Sequence, residues 1–283
     1  MKNIVVTGAS TGIGWATVKV LTEAGFHVFG SVRKQADADR LKQTFGDKVT
    51  PLIFDVTDAA GAKRAADEVR GKLNGEKLFG LVNNAGIAVS GPMLEIDIDE
   101  FRNQMEVNVT GPVIVTQAFG PLLGVDKSLK GAPGRIVNIS SVAGKNSAPF
   151  LGPYSASKHA LEAISEALRR ELQLFGIDVI IIGPGAVATP IWDKAEQMDI
   201  TPYKASPYLP MLERIQDYMV KNGRAQGYPP ERIARQVLKA LTLKKPKTRY
   251  AVVSGRLMNW TIPGLLPRRF VDRLIGKRLG LLP

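Results

Sequence analysis

The chain of 283 residues contains no cysteine. That absence excludes disulfides, thiolate nucleophiles and thiolate metal ligands. Histidine is nearly as scarce: His27 and His159 are too few and too separated to suggest a histidine-based metal centre, so no metal is expected. Long apolar runs are missing as well, and stretches such as 179–182 fall far short of the roughly 20 residues that cross a bilayer. The opening MKNIVVTGAS reads as a strand and turn, without the charged, apolar and small-residue succession of a secretory signal. No linker, low-complexity stretch or internal repeat divides the sequence, and 45% apolar content is ample for one core. These features lead us to expect one domain over 1–283 in a cytoplasmic protein.

Positive charge, by contrast, is in excess, with a net +12. From Lys244 to Pro283 ten Lys/Arg face one acid, Asp272, so nine of those twelve charges sit in the tail and the body is nearly neutral. Tail aromatics do not interleave with the basic residues as a stacking platform would require, which argues against nucleic acid as a partner. From Arg256 onward, Trp260, Ile262, Leu265, Leu266, Phe270, Leu274 and Ile275 are mixed with Arg268, Arg269, Arg273, Lys277 and Arg278. Such a basic amphipathic extension, over about 254–283, suits peripheral contact with an anionic membrane. Packing on its own subunit or on a neighbour is the alternative.

Short runs rich in Val, Ile and Phe at 3–7, 26–32, 49–54, 77–83, 134–140, 177–183 and 249–253 predict strands, several of them apolar on both faces. Helical patterns separate them at 12–24, 36–45, 58–73, 97–123, 154–175 and 229–241. This alternation predicts an α/β fold: a doubly wound Rossmann-type sandwich around a seven-stranded, mainly parallel sheet, with ligands gathered at the carboxyl ends of the strands.

The first strand runs into Thr7-Gly8-Ala9-Ser10-Thr11-Gly12-Ile13-Gly14 and then a helix. Glycines there allow a tight turn within reach of a pyrophosphate, whose charge free N–H groups and the helix dipole would meet. The same residues fit G-x-S-x-G, a hydrolase nucleophile elbow at Ser10. Neither histidine is placed to complete a triad, and both read as ordinary structural or surface residues. At the end of strand two, Ser31-Val32-Arg33-Lys34 precedes any acid; a guanidinium there can grip a 2′-phosphate, which favours NADP(H) over NAD(H). Asn83-Asn84-Ala85-Gly86 closes strand four and suits either a flat ligand or close packing on the first turn.

Of six tyrosines, only Tyr154 has a lysine four residues on, Lys158, so the two share a helix face. A free phenol, with a pKa of about 10, is a poor base at neutral pH, and a nearby ammonium favours its ionised form. Ser141, thirteen residues before Tyr154 and at the end of strand five, can address the same substrate oxygen.

In this order TGASTGIG, NNAG, Asn108 in NVTG, Ser141 in NISS and YSASK resemble the short-chain dehydrogenase/reductase family over roughly 2–253. The resemblance implies that Tyr154 exchanges the substrate proton, Ser141 polarises the substrate oxygen, Lys158 binds the nicotinamide ribose and lowers the phenol pKa, and Asn108 anchors a proton relay. It also implies dinucleotide contacts at Gly8, Ser10, Thr11, Gly12, Ile13 and Gly14 for the phosphates, Arg33 for the 2′-phosphate, and Asp55 and Val56 beside the adenine. Asn83, Ala85 and Gly86 would flank the ribose, with Pro184, Gly185, Val187 and Thr189 on the nicotinamide side. Thr11 departs from the basic residue that many NADP members carry there. A homodimer or homotetramer built on the helices 97–123 and 154–175 is implied too.

After Pro190 the pattern breaks into a segment, about 190–228, with Trp192, Met198, Tyr203, Tyr208, Met211 and Tyr218, which reads either as a substrate lid over a hydrophobic alcohol or ketone or as core packing. PGAVATPIWDKA and RYAVV resemble the branch of the family that handles retinoids and hydroxysteroids. The rival from another class is a catalytically silent NADP(H)-binding sensor or scaffold, against which the full set Asn108, Ser141, Tyr154 and Lys158 argues.

Overall fold

The computed structural model describes residues 1–188, 200–255 and 262–282. Seven strands, β1 Asn3–Val6, β2 His27–Val32, β3 Val49–Ile53, β4 Gly80–Asn83, β5 Arg135–Ile139, β6 Asp178–Pro184 and β7 Arg249–Val252, form one sheet. Their order is β3-β2-β1-β4-β5-β6-β7. Every pair is parallel, so the expected sheet is correct and contains no antiparallel strand. The order reverses between β1 and β4, which places the glycine-rich turn after β1 and the Asn83–Gly86 turn side by side.

Burial on both faces explains the unbroken apolar strands. Ile4 and Val6 of β1 point into one core layer with Val137, Ile180 and Ile182, while Val5 points into the other with Ile136 and Val179. On the first face pack helices α1 Gly12–Glu23, α2 Gln35–Phe45 and α8 Pro230–Thr242; on the second pack α3 Ala59–Lys72, α5 Gly111–Gly120 and α6 Gly152–Glu171.

The helix expected over 97–123 is instead α4 Ile98–Met105, a wide π-helical turn at Glu106–Thr110, α5, and a second wide turn at Pro121–Val125. The first widening has a sequence cause: Pro112 has no N–H to return to the carbonyl four residues back, that of Asn108. A second correction falls in the segment after β6, where α7 Leu209–Gln226 is a helix of 18 residues that begins with Pro210 in its first turn. Trp192 and Met198 lie outside the described residues, as do Thr189 and, in the tail, Arg256 and Trp260. The tail itself forms α9 Ile262–Leu265 and α10 Arg268–Leu279.

Beneath the strand ends lies a buried polar chain. Asn83 Nδ2 donates to Thr116 Oγ1 at 3.1 Å and to Asn138 Oδ1 at 2.9 Å, and Asn138 Nδ2 donates to Ser165 Oγ at 2.8 Å. It ties β4 and β5 to α5 and α6 below the site. Replacing Asn138→Ala strips partners from two buried groups, so the unfolding free energy in urea should drop by about 1–3 kcal/mol, an unchanged midpoint being the contrary result.

Candidate active site

Across the switch point the two turns are clasped by one hydroxyl. Thr7 Oγ1 accepts from Asn84 N at 2.9 Å and Ala85 N at 3.0 Å, while Asn84 Nδ2 donates to the carbonyls of Thr7 at 2.9 Å and Gly8 at 3.2 Å. Of the two sequence readings of the NNAG turn, close packing on the first turn is the one observed. Asn83, expected at the ribose, turns its side chain down into the polar chain instead.

Gly8 and Gly12 have φ of 65° and 55°, in the left-handed region that favours glycine. A Cβ on Gly14 would stand 2.0 Å from the Gly8 carbonyl oxygen. The α1 N-terminus that follows has no side-chain cap and no acid in its first turn. Its backbone N–H groups and positive dipole end are therefore unopposed by a carboxylate, a fit for a pyrophosphate. Gly8 N is steadied by Ser31 Oγ at 3.3 Å, and Ile13 packs into the core below.

Arg33 stands at the open edge of this turn with its side chain 69% exposed, 3.8 Å from Asp55. Burial acts to raise the Asp55 carboxyl, but hydrogen bonds from Thr57 and the charge of Arg33 outweigh it and leave the pKa lowered. Val56 is buried and packs toward Gly111, so its side chain serves the core. Arg40 is a cation that motif reasoning passed over. Its guanidinium lies over the Trp15 ring and donates to the Ser10 carbonyl, at the lip of the phosphate turn.

On the other side of the switch, Tyr154 and Lys158 lie in the first half of α6, where Pro153 in the first turn starts the helix. The Ser141 hydroxyl stands near enough to the phenol to draw its pKa down. It also accepts from Ala143 N at 3.1 Å, which fixes its turn, whereas the neighbouring Ser140 hydroxyl is buried without a partner. Of the two adjacent serines, Ser141 is the one close to the Tyr154 phenol.

Burial pushes the Tyr154 phenol above its ordinary value, and Ser141 pulls it back only in part. Lys158 is buried, which brings its ammonium down to about 8 against the upward pull of Glu162. Its Nζ donates to the Ile139 carbonyl at 2.9 Å and stands 5.7 Å from the centre of the Tyr154 ring.

Asn108, brought inward by the wide turn, accepts from Ile87 N at 2.9 Å and donates to Ile87 O at 3.0 Å and Ser157 Oγ at 3.1 Å. Gln104 adds a parallel set, accepting from Val89 N at 2.6 Å and donating to Ile87 O at 3.0 Å. The Asn108 amide is thus committed to holding the loop after Gly86 against α6. Gly185 N donates to Val252 O at 2.9 Å and Val187 bridges to Tyr228, which set the β6 exit that begins at Pro184.

The segment after β6 packs beside this cleft. Phe150, four residues before Tyr154, has a φ of 64°, a strained conformation for a bulky residue, and its side chain is buried with Tyr203 and Leu212. Tyr208, Met211 and Leu281 of the tail pack against that cluster, while Met93 and Leu94 on the loop before α4, and Ile98 at its start, remain exposed. Neither histidine approaches Ser10. His27 pairs with Thr50 at 2.9 Å and His159 with the Ser155 carbonyl, which disposes of the hydrolase elbow. Among the described residues there is no cluster of metal-ligating side chains and no helix long and apolar enough to cross a membrane.

Residues 2–200 match the family described as short chain dehydrogenase. The chain is 41% identical over 282 residues to an NADPH-dependent 3-dehydrocapnine reductase of Ornithobacterium rhinotracheale, covering 100% of this chain and 99% of the relative. It is 32% identical to retinol dehydrogenase 5 of Mus musculus, covering 96% of this chain and 87% of the relative. A solved short-chain dehydrogenase from Streptomyces avermitilis superposes with a TM-score of 0.77 at 28% identity, covering 99% and 97% of the two chains. With the parallel sheet, the glycine turn and the Ser141–Tyr154–Lys158 grouping, these likenesses show that the chain belongs to the short-chain dehydrogenase/reductase family, the NAD(P)-dependent oxidoreductases that act on CH–OH groups.

Proposed function

We propose that the protein is an NADP(H)-preferring reductase of a hydrophobic ketone or aldehyde, with Tyr154 as the proton donor. The observation that carries this reading is the phenol held above its ordinary pKa beside the Ser141 hydroxyl, because a group that keeps its proton near neutrality is suited to give it to a developing alkoxide. Ser141 orients the carbonyl oxygen, and the buried Lys158 ammonium stabilises the phenolate left behind. Reduced nicotinamide supplies the hydride to the carbonyl carbon. Gly8, Ser10, Thr11, Gly12, Ile13 and Gly14 bind its pyrophosphate, and Arg33 takes the 2′-phosphate. Asp55, Ala85, Gly86, Pro184, Gly185, Val187 and Thr189 line the remainder. The name of the Ornithobacterium relative, NADPH-dependent, supports the cofactor assignment. In the rival reading, a silent NADP(H)-binding sensor, nothing requires the Ser141 and Tyr154 hydroxyls to meet.

A hydrophobic substrate follows from the apolar cluster around Phe150, Tyr203 and Leu212 beside α6. We assign the residues 190–228 to a lid over it within a single domain, and a homodimer or homotetramer remains our assignment for the assembly. The tail carries a second interaction. Leu281 docks on the lid cluster, so part of the tail packs on its own subunit, yet Phe270 and Leu274 are 51% and 52% exposed one helical turn apart. Arg269, Arg273 and Lys277 flank them on α10. That combination fits an anionic membrane surface.

Three outcomes are expected. Tyr154→Phe should lose roughly 10²–10⁴-fold in NADPH-dependent ketone reduction while still quenching or shifting NADPH fluorescence on binding; parent-like turnover removes the phenol from the chemistry. Arg33→Gln should raise the KM for NADPH by about 10- to 100-fold and leave that for NADH unchanged, since only the phosphate contact is lost. In co-sedimentation, the full chain should pellet with anionic vesicles more than with neutral ones, and Phe270→Glu/Leu274→Glu should abolish the difference; equal pelleting of parent and variant would sink the membrane assignment.

A further inference from the structure

Behind the proton-transfer residues lies an ion pair that neither the family motifs nor the reaction calls for. Glu162 follows Lys158 by one helical turn, so Tyr154, Lys158 and Glu162 recur at steps of four along one face of α6. The Glu162 carboxylate is 4% exposed. Both of its oxygens accept from Arg249 Nε, at 2.9 and 3.1 Å, and the Lys145 ammonium stands 3.6 Å away. Arg249 belongs to β7, at the far edge of the sheet, and its Nη2 reaches on to donate to the Ser141 carbonyl at 3.3 Å. A Cβ on Gly183 would stand 2.5 Å from that Nη2, so a side chain at the neighbouring strand position would push the guanidinium off its path.

We propose that Glu162 and Arg249 are positioning residues that lock α6 to the Ser141 turn, holding the phenol and the serine hydroxyl in register, with the Glu162 carboxylate set one helical turn from Lys158 as its counter-charge. The two hydroxyls come from separate elements, the turn after β5 and the first half of α6, with the 3₁₀ turn Val142–Gly144 between them. The Arg249 guanidinium joins them, Nε donating to both Glu162 oxygens on α6 and Nη2 to the Ser141 carbonyl on the turn. Charge is settled by the same pair. Lys158 on α6, Lys145 beyond the Ser141 turn and Arg249 on β7 are three cations around one carboxylate, and Glu162 is the anion acting on Lys158. Without it, burial alone governs the ammonium, which then loses its proton more readily and no longer favours the phenolate.

The inference rests on the reading of Tyr154 as proton carrier, and the experiment separates the two. Steady-state rates of alcohol oxidation and ketone reduction are measured against pH for the parent, Glu162→Gln, Glu162→Asp, Arg249→Lys and Tyr154→Phe, each checked for its thermal midpoint. Expected for Glu162→Gln is a kcat lower by roughly 10- to 100-fold at an unchanged KM for NADPH, with the alkaline rise of the oxidation rate moved to higher pH. Glu162→Asp should recover the parent's pH profile, having the charge back. Arg249→Lys, which keeps a cation but has one ammonium in place of Nε and Nη2, should lower kcat without moving the profile. A Glu162→Gln enzyme with the parent's kcat and profile overturns the proposal, and so does one that is merely less stable, with an unshifted profile that Asp does not rescue. Should Glu162→Gln fail to fold, Arg249→Lys with the parent's kcat overturns it equally. If Tyr154→Phe turns over like the parent, the reading of the phenol fails, whatever the Glu162 series shows.

Discussion

The turn after β1 and the turn after β4 lie so close that the Gly8 Cα position admits no side chain facing Ala85: a Cβ there would be 2.9 Å from the Ala85 Cα. All else about the site depends on this closeness. It exists because the sheet order reverses between β1 and β4, which brings two strand ends together with no crossover helix covering them. Thr7 holds them there by accepting two backbone N–H groups from across the gap, and Asn84 returns two bonds to the opposing carbonyls. Four hydrogen bonds thus occupy the polar groups that would otherwise face a bound dinucleotide at random. The N–H groups of the α1 N-terminus are left as the donors aimed outward.

The second constraint is the charge of Lys158 inside the protein. A buried ammonium is costly unless it is hydrogen-bonded and paired, and here the Ile139 carbonyl and the Glu162 charge share that work. The resulting pKa of about 8 keeps the side chain largely protonated at neutral pH while leaving it responsive to its neighbours. Tyr154 sits in the opposite regime: burial raises its phenol, so the neutral form is favoured. Two groups a turn apart on one helix are therefore driven in opposite directions by the same low-polarity surroundings, since burial disfavours whichever form is charged. That contrast sets a neutral phenol beside a cation on physical grounds alone.

Much of this was legible along the chain. Strand positions followed from apolar runs such as VIII at 179–182, whose residues alternate between two core layers rather than between core and water. The Tyr154–Lys158 pair followed from helical spacing, and Ser141 from its place at a strand end. Other features were hidden for identifiable reasons. The wide turn at Glu106–Thr110 depends on a missing N–H at Pro112, whose effect appears four residues upstream rather than at the proline. Asn83 and Asn84 are identical in type and adjacent, so only the pleat of β4 decides that the first faces the polar chain below and the second faces the glycine turn. Val56 lies in a loop after β3, and the absence of a side chain at Gly111 opens a place for it in the core. Arg40 and Arg249 escaped because their partners, Ser10 and Glu162, are 30 and 87 residues distant in sequence.

The segment after β6 shows how local strain and distant packing meet at one residue. Phe150 carries a left-handed backbone, which for a bulky aromatic costs of order 1–3 kcal/mol and persists only where the surroundings over-determine it. Here they do: its carbonyl accepts from Gly91 N at 2.8 Å, and its ring is buried with Tyr203 and Leu212, edge-on to Tyr208. Leu281 near the end of the chain joins the same cluster, so the position of the backbone just ahead of Tyr154 is tied to the segment carrying Tyr203 and Leu212 and to the tail together. Loosening either would release the strain at Phe150 into the first turn of α6, which carries the phenol. The extremity of the chain that bears most of its charge is in this way mechanically joined to the centre of its chemistry.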